Sequence, residues 1–181
     1  MGKQFDRLDD AHISFIEAQH MFFCASAGPE GKVNLSPKGM DSLRVLGPNR
    51  ILWLNLTGSG NETAGHLREN PRMTLMWCSF TKRPQILRAY GTARMYQRPD
   101  SEWDDLASGF PEYRSARQIY EMQVDLVQTS CGYAVPFMDF VGDRDTLMKW
   151  ADGKTDDDIR AYWRDRNGMT LDGPPTGAPG S

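Results

Sequence analysis

The stretch with the most chemical content is Thr57-Gly58-Ser59-Gly60-Asn61-Glu62-Thr63. Its glycines let backbone approach a ligand closely, and its hydroxyls can donate to oxyanions. It runs into a helical pattern, whose first N–H groups and dipole favour a phosphate. The lysine and fixed glycine spacing of a Walker loop are missing. Taken alone, the segment reads either as an anion cradle or as a turn in which Ser59, Asn61 or Thr63 caps the next helix. Upstream, Ser36-Pro37-Lys38-Gly39 ends a strand pattern with a hydroxyl and a cation. If Lys38 meets the loop that begins at Thr57, the two make a monophosphate site of one point charge, several hydroxyls and a helix start. The alternative for Lys38 is a solvated lysine in a turn.

Other reactive side chains point to less. Cys131 follows two hydroxyl residues and precedes Gly132, the setting of either a reactive thiol or a small apolar filler. Cys24 and Cys78 lie inside apolar runs and read as core. His12, His20 and His66 show no ligand spacing with Cys, Asp or Glu, so no metal site is expected. Asp156-Asp157-Asp158 suits a helix start, where the dipole favours acid. Trp150 and Trp163 sit in amphipathic helical patterns, as packing residues or as a cap over a ligand.

Positioning these groups requires a scaffold, and the pattern supplies one. Residues 10–19 have Ile13 and Ile16 at helical spacing, with Asp9 or Asp10 as cap. The apolar run 21–27 ends at Gly28-Pro29-Glu30-Gly31 and returns through the alternating residues 32–36, a hairpin. Residues 43–46 and 50–56 flank Gly47-Pro48-Asn49, a second hairpin. A short helix runs to Asn70-Pro71, and strands 73–80 and 85–96 follow. Residues 99–108 read as a short helix and 119–129 as a last long strand. Residues 143–151 and 155–166 turn helical, the latter opening with a capping-box pair, Thr155 and Asp158. Strands do not alternate with helices, so a doubly wound parallel sheet is excluded. A mainly β, antiparallel barrel with flanking helices is expected.

Composition narrows the function. The 181 residues carry 21 basic and 24 acidic groups, a net charge of −3, which argues against a nucleic-acid partner. No apolar run approaches the ~18 residues of a membrane span, and the first ten residues lack the apolar stretch of a secretory leader. Three widely spaced cysteines form no disulfide framework. The expectation is a cytoplasmic protein with one domain over residues 1–172 and a flexible Pro/Gly tail over 173–181.

Several stretches are recognisable together: Val33-Asn34-Leu35-Ser36-Pro37-Lys38-Gly39, residues 51–64, residues 66–76 with Asn70-Pro71-Arg72, and residues 85–94 with Gly91-Thr92-Ala93. In that order they resemble the pyridoxamine 5′-phosphate oxidase-like family of FMN-binding split barrels, over roughly residues 10–130. Residues 128–136, Gln-Thr-Ser-Cys-Gly-Tyr-Ala-Val-Pro, look like the hallmark of one branch. The resemblance implies a six-stranded antiparallel split barrel that binds FMN. It places the cofactor on Ser36, Lys38, Thr57, Ser59, Asn61 and Thr63, with Arg88 near the flavin; otherwise Arg88 is an outward strand arginine. Family members often carry Arg-Lys at the helix start, where this chain has Asn61-Glu62. The resemblance further implies a homodimer with the flavin between subunits, and an FMN-dependent oxidoreductase acting on a small molecule. Alternatives are a flavin protein for storage or sensing without turnover, or a barrel that takes deazaflavin or haem. Members that oxidise pyridoxamine 5′-phosphate hold it with a C-terminal Arg-x-His pattern. The last histidine here is His66, so that activity is not expected.

Overall fold

Asp9 opens the first helix by accepting the His12 N–H at 2.8 Å, while His12 Nδ1 accepts the Asp9 N–H at 3.2 Å. That reciprocal cap fixes α1 (Asp10–Glu17), behind a short β1 (Lys3–Phe5), and turns Ile16 inward. The chain then forms β2 (Phe22–Ser26), β3 (Asn34–Lys38), β4 (Leu43–Gly47), β5 (Arg50–Leu56), α2 (Glu62–Glu69), β6 (Arg72–Cys78), β7 (Ile86–Tyr96), α3 (Trp103–Ala107) and β8 (Ala116–Ser130). Helices α4 (Thr146–Asp152) and α5 (Asp156–Asn167) follow. The computed structural model describes residues 2–178.

All strand pairs are antiparallel, in the order β3-β2-β6-β7-β8-β5-β4, and β1 adds to β8. β8 is long enough to serve two neighbours on one edge: its first half pairs with β5 and its last residues with β1. The sheet curls on itself. Phe22 of β2 and Trp53 of β5 are separated by three intervening strands, about 19 Å in a flat sheet. Their rings nevertheless lie 6.0 Å apart. The period-2 alternation of each strand sends Phe22, Cys24, Met73, Leu75, Trp77, Leu87, Ala89, Met122 and Val124 into this interior, and a bulge in β8 brings Val127 to the same face. Where β7 crosses β8 at a bulge, Gly91 is required, because a Cβ there would run into the Gln123 carbonyl.

The barrel class stands, with eight strands rather than six. β1, only three residues long, shows no alternation to read. β8 begins at Ala116, three residues before the sequence expectation, because Arg117 and Gln118 are buried within the sheet despite their polarity. The segment expected as a flexible tail from Gly173 packs as far as Ala178. The Thr176 N–H donates to Gly168 O at 3.0 Å, and Ala178 joins Ala151, Ile159 and Trp163 in a small core. Pro and Gly there shape a return over α5 instead of freeing the chain; residues 179–181 of that expected tail lie outside the described residues. No helix among the described residues is long and apolar enough to cross a membrane.

Candidate functional site

The inner face of β3 is polar. Directly opposed residues of an antiparallel pair share a face, and Phe22, Cys24 and Ser26 of β2 face Lys38, Ser36 and Asn34. Lys38, at the end of this column, lies over the Trp53 ring, with Nζ 5.1 Å from its centroid. Both line a cavity of about 890 Å³. Asn55, Thr57, Gly58 and Ser59 continue its barrel wall, and Phe140, Leu147, Trp150 and Tyr162 face them from the C-terminal segment.

Lys38 makes no ion pair among the described residues. Burial pulls its ammonium below the usual lysine value, and the charge of Arg117 pulls further. Arg117, 2% exposed, also lacks a carboxylate partner among the described residues and is brought down to about 10, chiefly by burial. Its guanidinium donates to Gln118 Oε1 at 3.0 Å, Asn167 Oδ1 at 2.6 Å and the Gly60 carbonyl at 3.1 Å, all neutral acceptors. Two more buried donors, Asn61 Nδ2 and Gln118 Nε2, have no protein acceptor among the described residues. Buried cations ordinarily carry a counter-charge; of these groups Lys38 reaches the cavity wall, where it suits an anion, while Arg117, Asn61 and Gln118 lie behind that wall.

The loop above Arg117 is held from below. The Asn167 side-chain amide donates to Gly58 O at 3.1 Å, and the Trp163 indole N–H donates to Thr57 Oγ1 at 2.8 Å. The Thr57 hydroxyl in turn donates to the Ser115 carbonyl at 2.8 Å. The loop then enters α2, whose cap residue Asn61 makes no side-chain cap bond. The first N–H groups of that helix thus have no side-chain cap from Asn61.

Of the residues singled out in the sequence, Lys38, Thr57 and Ser59 meet on the cavity wall. Asn61 lies buried beneath the loop, with its Oδ1 3.4 Å from Asn55 Nδ2. Thr63 is turned away, toward Ser26 Oγ at 3.2 Å and Asn34 Nδ2 at 3.4 Å. Ser36 lies on the same inner face as Lys38, two residues back, and is not among the cavity walls. Arg88 is on the outer face, because Leu87 and Ala89 on either side fill the core; its Nη1 donates to Ser130 Oγ at 3.3 Å. Cys131 is exposed, and burial pushes the Cys24 thiol up to about 11.

The barrel can be placed among known proteins. The family model for pyridoxamine 5′-phosphate oxidase matches residues 8–131. The chain belongs to the pyridoxamine 5′-phosphate oxidase family. It is 35% identical over 147 residues to the pyridoxamine 5′-phosphate oxidase family protein ustO of Aspergillus flavus. That alignment covers 78% of this chain and 59% of ustO, so the chain spans less than two thirds of its relative's length. Among solved structures, a candidate pyridoxamine 5′-phosphate oxidase from Lactobacillus delbrueckii superposes with a TM-score of 0.56 at 18% identity, over 68% of this chain and 94% of that one. HupZ from Group A Streptococcus gives 0.53 at 16% identity, over 66% of this chain and 91% of that one. At those identities the likeness is one of fold.

Sequence reasoning passed over Arg117, Gln118, Asn55 and Asn167 of this family member. Arg117 and Gln118 directly precede the apolar run at Ile119, so the strand seemed to begin after them. The available signal was an amide, Asn55, inside the otherwise apolar Ile51–Leu56 run: a buried amide requires a partner. That partner is Gln118, whose Oε1 accepts from Asn55 Nδ2 at 2.8 Å. Trp163 and Asn167 lie beyond the family match, and their contact with the loop has no local signature.

Proposed function

We propose that this family member binds FMN in the 890 Å³ cavity and works as a flavin-dependent oxidoreductase on a small molecule. The observation that carries this reading is the uncompensated pair Lys38 and Arg117 beside the glycine loop and the start of α2. Lys38, Ser59 and the loop backbone would hold the phosphate, with Arg117 adding charge from beneath. Trp150 offers aromatic surface for a flat ring system, while Trp53 is buried under Lys38. Bound there, a flavin supplies hydride and electron transfer, and the protein supplies binding, orientation and exclusion of water. The volume is near the upper end of the range for small-molecule sites, which leaves room for a second molecule.

The substrate end is apolar. Phe140, Leu147, Trp150 and Tyr162 favour a flat substrate, with Asp143 and Arg144 at the same wall to meet its polar groups. Tyr133, Phe137 and Val141 are 78–99% exposed. This supports a homodimer that covers them; the family resemblance implies a homodimer with the flavin between its subunits. The three cysteines are unpaired, in keeping with a reducing, cytoplasmic setting. The test is the absorption spectrum of the purified protein, with FMN titration followed by fluorescence quenching. Flavin bands, or saturable quenching at micromolar FMN, are expected; a colourless protein that quenches no flavin overturns the reading.

A further inference from the structure

A trans peptide sends its carbonyl and the following N–H in opposite directions, and the loop peptides are trans. The Gly58 carbonyl is drawn to Asn167 and the Gly60 carbonyl to Arg117. The N–H groups of Ser59 and Asn61 therefore point away from Asn167 and Arg117. Neither N–H donates to any acceptor among the described residues. At Ser59 the cavity lies on that side, for Gly58 and Ser59 line it while Arg117 and Asn167 do not; Asn61 is buried just behind that wall. Backbone N–H groups turned to one side make a place for an anion. Helix α5 supplies part of the restraint: Trp163 and Asn167, four residues apart and so on one helix face, grip Thr57 and Gly58. Asn167 is itself fully buried, and its own carbonyl accepts the Thr176 hydroxyl.

We propose that Asn167 and Arg117 are positioning residues that hold the 57–60 loop with its Ser59 and Asn61 N–H groups toward the phosphate of the cofactor, so that the C-terminal helix sets cofactor affinity. This rests on the reading that the loop takes the flavin's phosphate. The barrel holds the two ends of the loop, through Thr57 on the Ser115 carbonyl and Arg117 on the Gly60 carbonyl, but among the described residues the Gly58 carbonyl is held by Asn167. If Asn167 releases Gly58, the peptide can rotate and the nest is lost, although Lys38 and the cavity remain.

The decisive variant is Asn167→Asp. It keeps the shape and places a carboxylate against Arg117, which preserves the buried contact. It removes the donor to Gly58 O and sets two oxygens against each other, and it neutralises the Arg117 charge. Binding is measured by fluorescence quenching with FMN and with riboflavin, and by amide NMR during titration with inorganic phosphate. In the wild type, the Ser59 and Asn61 amide signals should shift with phosphate. In Asn167→Asp those shifts should shrink and FMN affinity should fall about tenfold or more, while riboflavin affinity holds. Trp163→Phe keeps the packing and drops only the Thr57 tie; it should give a smaller fall of the same kind, and it serves if the first variant misfolds. Unmoved Ser59 and Asn61 signals in the wild type overturn the proposal. So do an unchanged FMN affinity in Asn167→Asp, or equal losses for FMN and riboflavin. Phosphate shifts in a wild type that binds no FMN would refute the flavin reading and leave the positioning role standing.

Discussion

The barrel and the C-terminal segment hold themselves together by different means. The barrel core runs from Leu8 to Val127 and is closed and apolar, with Trp77, Leu75, Leu87 and Val127 almost wholly buried. The C-terminal helices carry a small core of their own: Ala151, Ile159, Trp163 and Ala178. Where the two meet beneath the loop, the contacts are polar: Trp163 to Thr57, Asn167 to Gly58 and Arg117 to Asn167. Apolar packing is non-directional and makes a stable container. Hydrogen bonds fix orientation, and that is what a loop presenting N–H groups needs. The cavity lies at the hydrogen-bonded joint, and the apolar barrel interior serves as its support.

The strongest way to break this division is Trp163→Ala. Truncating a buried Trp costs about 3–5 kcal/mol, and here the loss should stay local. Amides of α5 should exchange with solvent far faster, while those of β7 and β8 keep their protection. Equal acceleration in β7 and β8 would show that the two regions unfold as one unit.

Lys38→Met tests the barrel side of the joint. Loss of one charge-assisted phosphate contact should cost about 1.5–3 kcal/mol, a fall of roughly 10- to 150-fold in FMN affinity, with riboflavin little affected. The pH dependence follows from the depressed lysine. Without ligand, the folded state holds this proton less tightly than the unfolded chain. The group's contribution to stability therefore rises with pH between its lowered pKa and the ordinary value of 10.5. A phosphate favours the ammonium, so FMN affinity should fall across the same window. Titrations upward toward pH 10.5 should show that fall in the wild type, and Lys38→Met should flatten it. An equal slope in both would remove Lys38 from the site.

How much of this was legible in the sequence divides along the same line. Alternation at Phe22, Cys24, Met73 and Leu75 marks inward faces without any knowledge of the partner strand, and the Thr155–Asp158 cap marks the start of α5. Lys38 and the 57–63 loop stand out because a cation and clustered glycines are unusual beside buried strands. At Arg88 the alternation of Leu87 and Ala89 marks an outward side chain, one of the two readings that its residue type leaves open. The grip of α5 on the loop joins residues 106 and 109 positions apart, and no local pattern records such a contact. Arg117 was hidden for a related reason. Its burial is repaid by neutral acceptors from three different segments, each ordinary by itself.

A smaller effect should separate stability from binding. On the outer face of the barrel, Glu121 accepts from the Tyr96 hydroxyl at 2.7 Å and from Arg50 Nε at 2.6 Å. Burial alone would raise its carboxyl, but these two bonds bring it below the usual value. Its contribution is therefore present above the ordinary carboxylate range and lost as pH falls through the lowered pKa. Glu121→Gln should cost about 0.5–1.5 kcal/mol in urea denaturation near neutral pH and leave FMN affinity unchanged. A parallel loss of FMN affinity would mean that barrel strain reaches the site, against the division drawn above.

The smallest expected effect concerns the strap of residues 131–145, which joins β8 to α4 without a helix or strand of its own. Phe140 reaches back to stack on His20, with centroids 3.7 Å apart and planes within 7°. Both rings line the cavity, yet both are largely exposed, so the stack contributes at the low end of aromatic pairs, about 0.5 kcal/mol. A further tie to the barrel is the Met138 N–H to Phe80 O bond at 3.1 Å, and Gly132 packs against the Gln85 backbone. With so few restraints, loss of one should show locally. His20→Ala should leave the melting temperature within a degree or two, since ~0.5 kcal/mol spread over 181 residues shifts it little. Limited proteolysis within 131–145 should become several-fold faster, and FMN should restore protection if the flavin bridges strap and barrel across the cavity. Cleavage at the wild-type rate would mean that the Met138 bond and the Gly132 contact hold the strap, and that the stack is incidental to the wall it lines.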